Sequence, residues 1–452
     1  MEVKDHLAAL ERANRDYRRD YPGDVLRRQP VHTVYGGAHL FKAETINKLG
    51  QLAHGSLSEY APDAATFAAA IGLSLAPDLE AEIYRRVADK LKREAIEDYR
   101  IDFEDGYGYR ADAEEDAHAV QAANELARAV NEKILPESVN IGIRVKALSE
   151  ECKERSARTL VLFFDTYLQK AKLPMGFVVT LPKVLLPEQV SCFVALLKII
   201  EKKHSLAEGS IKIEIMVEAT QSLVDGRGLC QLPALIKAGE GRCQAAHFGA
   251  YDYTATCDIT ATYQKLNSGT CDFARHMMKV ALAGRGVWLS DGATNVMPVG
   301  PHRAAKGETL NAAQKAENQS VVHRAWKLSY DDIRHSLSQG FYQGWDLHPA
   351  QIPVRYAACY AFFLEGLPAA TARLKSFMEK AAQANLVGDT FDDAASGQGL
   401  LNYFLRAINC GAIESDSLKA VGLTAEEIAA KSFQKILTGR RRDLKTDPQD
   451  WL

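Results

Sequence analysis

Several common signatures are missing from this 452-residue chain. It has no glycine-rich phosphate loop ending in Lys-Ser/Thr, no G-x-G-x-x-G after a strand, no G-x-S-x-G and no H-E-x-x-H. Phosphoryl transfer, dinucleotide redox and serine hydrolysis therefore lose their usual support. The eight cysteines are scattered, from Cys152 to Cys410, and form no C-x-x-C pair; neither a zinc knuckle nor a redox motif is indicated. A formal net charge of -3 carries no electrostatic footprint for nucleic acid or a membrane surface. No apolar run is long enough to span a bilayer. The segment MEVKDHLAALERANRDYRRD is a charged amphipathic helix without a secretory apolar core, so the expected location is cytoplasmic.

What is present is an ordinary core-forming composition, 47% hydrophobic and 25% charged. Residues 1–30 read as a helical extension. Val31–Tyr35 is a first strand, followed by Gly36-Gly37; adjacent glycines there permit close backbone approach to a ligand, or make a plain turn. Residues 55–97 look like an insertion, with a small helix and then a charged amphipathic one. Further strands follow at Tyr99–Phe103, Ser138–Val145, Gly176–Leu181, Ile211–Val217, Ala245–Gly249, Gly286–Leu289 and Gly340–Trp345. A helical pattern separates each from the next, including one over 219–240. Eight strand–helix units over 31–378 predict a (β/α)8 TIM barrel, whose site lies at the C-terminal ends of the strands. Residues 379–452 read as a C-terminal helical segment, a lid or an oligomerisation arm, with a glycine- and acid-rich break at GDTFDDAASGQG.

The polar clusters fall at those strand ends. Ile211–Val217 ends in Glu218, and Ala245–Gly249 is followed by Asp252. In a βαβ unit both would sit on one edge of the sheet. Two hard oxygen ligands with open positions suit Mg²⁺ or Mn²⁺; helix capping fits the same spacing equally. Tyr99–Phe103 ends among Asp102, Glu104 and Asp105, three acids that repel unless a metal or an arginine is near. A solvated acidic turn is the plainer alternative. Arg144, inside an apolar strand, needs a partner: a substrate carboxylate, the acids of the second strand, or both. His32 and His39 are candidate bases, although such histidines more often only hydrogen-bond in a core. His302, Arg303 and Lys306 make the long loop after the seventh strand locally basic.

These motifs, taken in order, resemble those of citrate lyase beta-subunit-like proteins. RIDFEDGYG resembles their D-L-E-D-A-V turn, GIRV their V-R-V/I-N strand, and LPKV a strand of the same form. MVEATQSL is similar to their metal glutamate motif, HFGAYDYTATCDI to their metal aspartate motif, and DLHPAQI to I-H-P-x-Q-I. The series places the chain with the superfamily of citrate lyase beta subunits, malate synthases and metal-dependent pyruvate aldolases. The first strand departs from it: HTVYGGAHLF stands in place of R-S-x-L-F-V-P-G.

The resemblance implies an oligomeric TIM barrel that binds Mg²⁺ through Glu218 and Asp252. It implies that Arg144 holds a substrate carboxylate or enolate, and that Glu104 and Asp105 line the site. Gly36, Gly37, Lys183 and His348 join the substrate-binding set, and Asp392 or Asp393 stands where relatives place a catalytic acid. The expected activity is a Mg²⁺-dependent carbon–carbon lyase or aldolase acting on a small 2-keto or 3-hydroxy acid. A malate synthase-like enzyme using a CoA thioester, a Schiff-base aldolase using Lys183, and a non-catalytic scaffold are the alternatives.

Overall fold

A computed structural model of the chain describes residues 3–23, 27–379, 385–387, 390–392, 394–414 and single positions or short runs between 416 and 436. Eight parallel strands form one sheet: β1 (His32–Gly37), β2 (Asp98–Asp102), β3 (Asn140–Arg144), β4 (Val178–Leu181), β5 (Lys212–Val217), β6 (Cys243–Phe248), β7 (Trp288–Ser290) and β8 (Gly344–Asp346). Their order is β7-β6-β5-β4-β3-β2-β1-β8. The ring closes where Asp291 N–H donates to the Gln343 carbonyl at 2.8 Å and Trp345 N–H to that of Gly292 at 3.2 Å. The expected (β/α)8 barrel is the fold, with all eight strands near their predicted places.

Alternation sorts each strand. In β5, Ile213, Ile215 and Val217 are fully buried, whereas Glu214 turns into the barrel. A TIM-barrel interior is ordinarily packed with branched apolar side chains in layers. Here it is ionic. Arg100 donates to Glu214 through Nε (2.8 Å) and Nη2 (2.7 Å), and also meets Asp98. Asp98 accepts from Thr33 at 2.8 Å, and His247 Nε2 lies 3.2 Å from Glu214. Burial alone would raise the Glu214 carboxyl; Arg100 and His247 overcome it and hold the group well below its ordinary range.

Local sequence explains where elements differ from the pattern. The predicted helix over 219–240 is two short ones, Thr220–Leu223 and Leu232–Ala238. Between them Asp225 accepts from the N–H groups of Arg227 and Leu229, both at 2.9 Å, and Gly228 takes φ +79°; this Asx-turn chemistry competes with helix. Helix Thr45–Tyr60 runs into the region read as an insertion, residues 55–97, which also holds helices Ala64–Ile71 and Pro77–Glu94. Asp63 caps Ala64–Ile71 by accepting from Thr66 N–H at 2.8 Å, and left-handed Gly72 ends it. Its Phe67 stands edge-on to buried Trp326 at 5.6 Å. Gly36 and Gly37, expected after the first strand, lie within it, paired with Ile101 and Asp102. A Cβ on either would overlap Tyr99 or the Gly106 carbonyl, so the chain itself, not a ligand, fills their space.

Beyond the barrel come helix Leu367–Glu379, a hairpin of β9 (Asn385–Val387) with β10 (Thr390–Asp392), and helix Ala394–Asn409. Asp392 ends the hairpin; Asp393 lies outside the described residues. Of the glycines read as a break, Gly388 lies outside the described residues, and Gly397 and Gly399 are inside the last helix, where a Cβ on Gly397 would overlap the rings of Phe377 and Phe433. Among the described residues, no helix is long and apolar enough to cross a membrane.

Removing one partner of a buried ion pair leaves a charge uncompensated in low dielectric. Arg100→Met should therefore lose about 3–5 kcal/mol of unfolding free energy, read as a lowered denaturant midpoint. An unchanged midpoint would show that the ionic interior does not hold the barrel together.

Candidate functional site

The ionic interior continues upward to the C-terminal mouth. Arg144, at the end of β3, forks onto Asp102 through Nε (2.7 Å) and Nη2 (2.6 Å). Its Nη1 lies 3.1 Å from Glu104 Oε2. The rings of Tyr35 and Trp345 flank the guanidinium at 4.7 and 5.5 Å. Both charges are buried, so the pair is well matched rather than solvated. Of the partners open to Arg144 from sequence, Asp102 takes the bidentate face and Glu104 the remaining edge. Asp102 also accepts from the N–H groups of Glu104 (3.0 Å) and Gly106 (2.7 Å), which folds the chain after β2 so that Glu104 and Asp105 face the mouth.

Lys183 sits at the centre of the acids. Its Nζ meets Glu104, lies 3.1 Å from Asp105 and 3.6 Å from Asp252. Its φ of +51° is sparsely populated for a side chain of this kind, strain of the sort that collects at functional sites. The turn aims its N–H at Glu218 Oε1, 2.6 Å away. The other oxygen, Glu218 Oε2, is buried with no hydrogen-bond partner. A Cβ on Gly249 would overlap Glu218, so glycine there makes room for it. Burial, then the charges of Asp252 and Glu104, push the Glu218 carboxyl up from its ordinary 4.5 to about 8. Burial would depress the Lys183 ammonium, but Glu218 and Glu104 raise it above its ordinary range. That is the reverse of what an amine nucleophile for a Schiff base requires.

Glu104, Asp105, Glu218 and Asp252 thus converge on one lysine. A surplus of acid, one of them with an orphaned oxygen, is what a divalent cation would relieve. Among the described residues no three His, Cys, Asp or Glu side chains form a ready-made cage. Two carboxylates with room for water and substrate oxygens is the arrangement Mg²⁺ uses, and the donor set fits it. Asp252 lies in the first turn of helix Ala250–Thr256, half-exposed; that turn is capped by Gly249 without a side-chain bond, so Asp252 is not its N-cap.

These acids form the floor of a cavity of about 570 Å³, whose outer wall includes Tyr109, Lys146, Ser149 and Cys152. Lys146 escaped the sequence reading, as did Asp98, Arg100, Glu214 and His247. The signal was period two: Arg144 and Lys146, or Asp98, Arg100 and Asp102, share a face of a strand. Other candidates lie elsewhere. His32 is fully buried outside the barrel, with Nδ1 3.2 Å from Asp346 and Nε2 accepting from Glu97 N–H at 3.1 Å; it is a core histidine, not a base. His39 packs on Tyr107 at 5.5 Å and does not line the cavity. His348 caps the turn after β8, its Nδ1 accepting from Ala350 N–H at 3.1 Å. It does not line the cavity either. His302 pairs with Glu317 at 2.6 Å.

The model of the family described as "Domain of unknown function (DUF6986)" matches residues 10–436; the chain belongs to that family. Among curated protein sequences none matches. Among solved structures, a citrate lyase from Burkholderia xenovorans superposes with a TM-score of 0.55 at 17% identity, over 90% of this chain and 96% of that one. CitE from Mycobacterium tuberculosis, in complex with magnesium, acetoacetate and coenzyme A, gives 0.47 at 14% identity, over 85% and 99%. A malate synthase from Haloferax volcanii with magnesium and glyoxylate gives 0.45 at 14%, over 90% and 99%. The fold is therefore shared with the citrate lyase, as the motif series implied.

The raised Glu218 carboxyl has a signed consequence. The native state holds a proton that the unfolded chain has released, from about pH 4.5 to about pH 8. Stability is then greatest below the unfolded value and falls as pH rises through the native one. Metal-free protein should melt at a higher temperature at pH 5.5 than at pH 8.5, and Glu218→Gln should flatten that difference. An identical slope in both proteins would remove Glu218 as its source.

Proposed function

We propose that this member of the DUF6986 family is a Mg²⁺-dependent carbon–carbon lyase or aldolase acting on a small carboxylated substrate, a 2-keto or 3-hydroxy acid. The observation that carries the reading is the orphaned oxygen of buried Glu218 within a ring of four acids at the barrel mouth. The ordered motif series from RIDFEDGYG to DLHPAQI supports the same class. Glu218 and Asp252 would hold Mg²⁺, which when bound polarises a carbonyl and neutralises developing charge.

The chain's own residues supply the rest. Lys183 sets an ammonium beside the position where an enolate oxygen would gain charge, and its ion pairs keep it protonated for that purpose. Glu104 is the group that holds or moves the proton. Burial raises its carboxyl, against the pull of Arg144 and Lys183, which brings it toward the range useful for acid–base work. In cleavage it would take the substrate hydroxyl proton on a carboxylate oxygen and return it to the carbon left behind. Arg144, with its fork on Asp102 and its Nη1 on Glu104, keeps Glu104 in place, and a substrate carboxylate would share Nη1 with Glu104. Asp392 or Asp393 is the further acid that the family resemblance would recruit, acting in a neighbouring subunit's site.

A second reading, condensation of an acyl-CoA with a 2-keto acid, is favoured by one feature. The cavity, of about 570 Å³, is lined beyond the acids by Tyr109, Ser149 and Cys152. Thiol release on turnover would identify it.

Activity is to be sought with Mg²⁺ on 2-keto acid and aldehyde pairs, and on their aldol products. Glu218→Gln or Asp252→Asn should abolish both turnover and Mg²⁺ affinity in calorimetry while circular dichroism stays native; unchanged affinity in both variants would sink the metal assignment. Arg144→Lys keeps charge but loses the fork. It should cost at least about tenfold in kcat/KM, roughly 1.4 kcal/mol, and wild-type kinetics there would contradict its role.

A further inference from the structure

The lining of the mouth cavity is of two kinds. Glu104, Asp105, Glu218 and Asp252 gather around Lys183, while Tyr109, Ala147, Cys152, Leu185 and Ala219 carry no charge. The volume of about 570 Å³ falls within the range of about 300–1,000 Å³ typical of small-molecule sites, and a ligand that fills it meets both kinds of wall.

Among the described lining residues the cations are Lys146 and Lys183, and both are committed. Lys183 is held by Glu104, Asp105 and Asp252. Lys146 Nζ donates to the Phe103 carbonyl at 2.6 Å and lies 2.9 Å from buried Glu115. Arg144 gives its fork to Asp102 and its Nη1 to Glu104. One ligand carboxylate can share Lys183 and a bound cation. A second one further out would find four acids nearby and no unspent positive charge, and a charge taken from water without a partner is costly.

Two of the uncharged residues are large and left open to solvent. Leu185 is 38% exposed, yet its backbone is held on both sides. Its N–H donates to Gln189 Oε1 at 2.8 Å, and its carbonyl accepts from Gln231 Nε2 at 2.5 Å. A leucine is thus presented at the cavity by a fixed backbone before any ligand arrives, which lowers the ordering cost of binding. Tyr109, on the turn after β2, is 92% exposed, so its ring has a large apolar area to gain by being covered.

We propose that the half of the substrate remote from the acids is uncharged and apolar, an aliphatic or aromatic tail rather than a second carboxylate. This rests on reading the mouth as the site of a 2-keto acid lyase or aldolase, and narrows that reading to aldehydes and aldol products with hydrophobic tails. Covering such a tail against Leu185 and Tyr109 supplies affinity in proportion to the apolar area removed from water.

The test is calorimetry on the full chain with Mg²⁺ present, using pyruvate, 5-methyl-2-oxohexanoate, phenylpyruvate and 2-oxoglutarate. The three longer acids carry a tail where an aldol product carries its aldehyde half. In 2-oxoglutarate that tail ends in a carboxylate, and in 5-methyl-2-oxohexanoate in an isopropyl group of similar shape. Each apolar acid should bind at least about tenfold more tightly than 2-oxoglutarate and pyruvate, with a more negative heat-capacity change. Leu185→Lys should bring 2-oxoglutarate to binding at least as tight as that of 5-methyl-2-oxohexanoate. Tyr109→Ala, at an open position, is the second variant should Leu185→Lys fail to fold, and should weaken phenylpyruvate by at least about threefold. If pyruvate or 2-oxoglutarate binds and the apolar acids bind no more tightly, this inference is overturned while the reading of the site stands. If none of the acids binds, both fall. A preference for apolar acids that is unchanged in both variants overturns the assignment to Leu185 and Tyr109.

Discussion

The buried pairing of two arginines with carboxylates inside the barrel is the constraint on which the rest of the structure depends. Charges taken out of water cost several kcal/mol each unless geometry and further hydrogen bonds repay it. Here Arg100 is shared by Asp98 and Glu214, with Thr180 and His247 completing the set. One layer higher, Arg144 is shared by Asp102 and Glu104. Each guanidinium thus answers more than one acid, and each acid more than one donor. Aliphatic layers of the same volume would fill a barrel as well. They would not deliver oriented charge to its mouth.

That delivery is the functional consequence. Because Asp102 is held by Arg144, its oxygens are placed to accept from the N–H groups of Glu104 and Gly106, and the chain turns so that Glu104 and Asp105 look into the cavity. Because Lys183 is held at a strained φ, its N–H orients Glu218 while its ammonium binds the other acids. The ladder is balanced in its lower layers and short of positive charge at the top. The last layer is left with more acid than base, gathered on one side of a cavity.

The mouth concentrates acid around one lysine, and the N-terminal face of the barrel carries Arg27, Arg28, Lys279 and Arg406. The segment Arg27–Gln29 and helix Ala394–Asn409 are tied together there: Gln29 N–H donates to Asn409 Oδ1 at 2.9 Å, and Asn409 Nδ2 to the Gln29 carbonyl at 2.7 Å.

How much of this was legible beforehand follows from the range of each interaction. The eight strands and the edge on which the acids gather could be read from sequence, because period-two burial and turn chemistry are local properties of a chain. That Glu218 and Asp252 face one cavity was readable only as one of two readings, since helix capping uses the same residues at the same spacing. The glycines at 36 and 37 were open between a ligand and a plain turn, and His32 between a base and a core hydrogen bond, for one reason. Whether a small residue makes room for a ligand or for a neighbouring Tyr99, and whether a histidine meets solvent or Asp346, is set by what packs against it from 60 to 310 residues away. The helix expected over 219–240 failed on a local signal, the Asp225–Gly228 turn, which periodicity alone does not weigh. The sequence by itself determined the barrel and the C-terminal edge that carries its acids. Only the tertiary structure decided that Arg144 spends its fork on Asp102 and that one oxygen of Glu218 is left without a partner. Those are matters of charge balance among strands far apart in the chain, and pairing at that range is fixed by closure of the sheet.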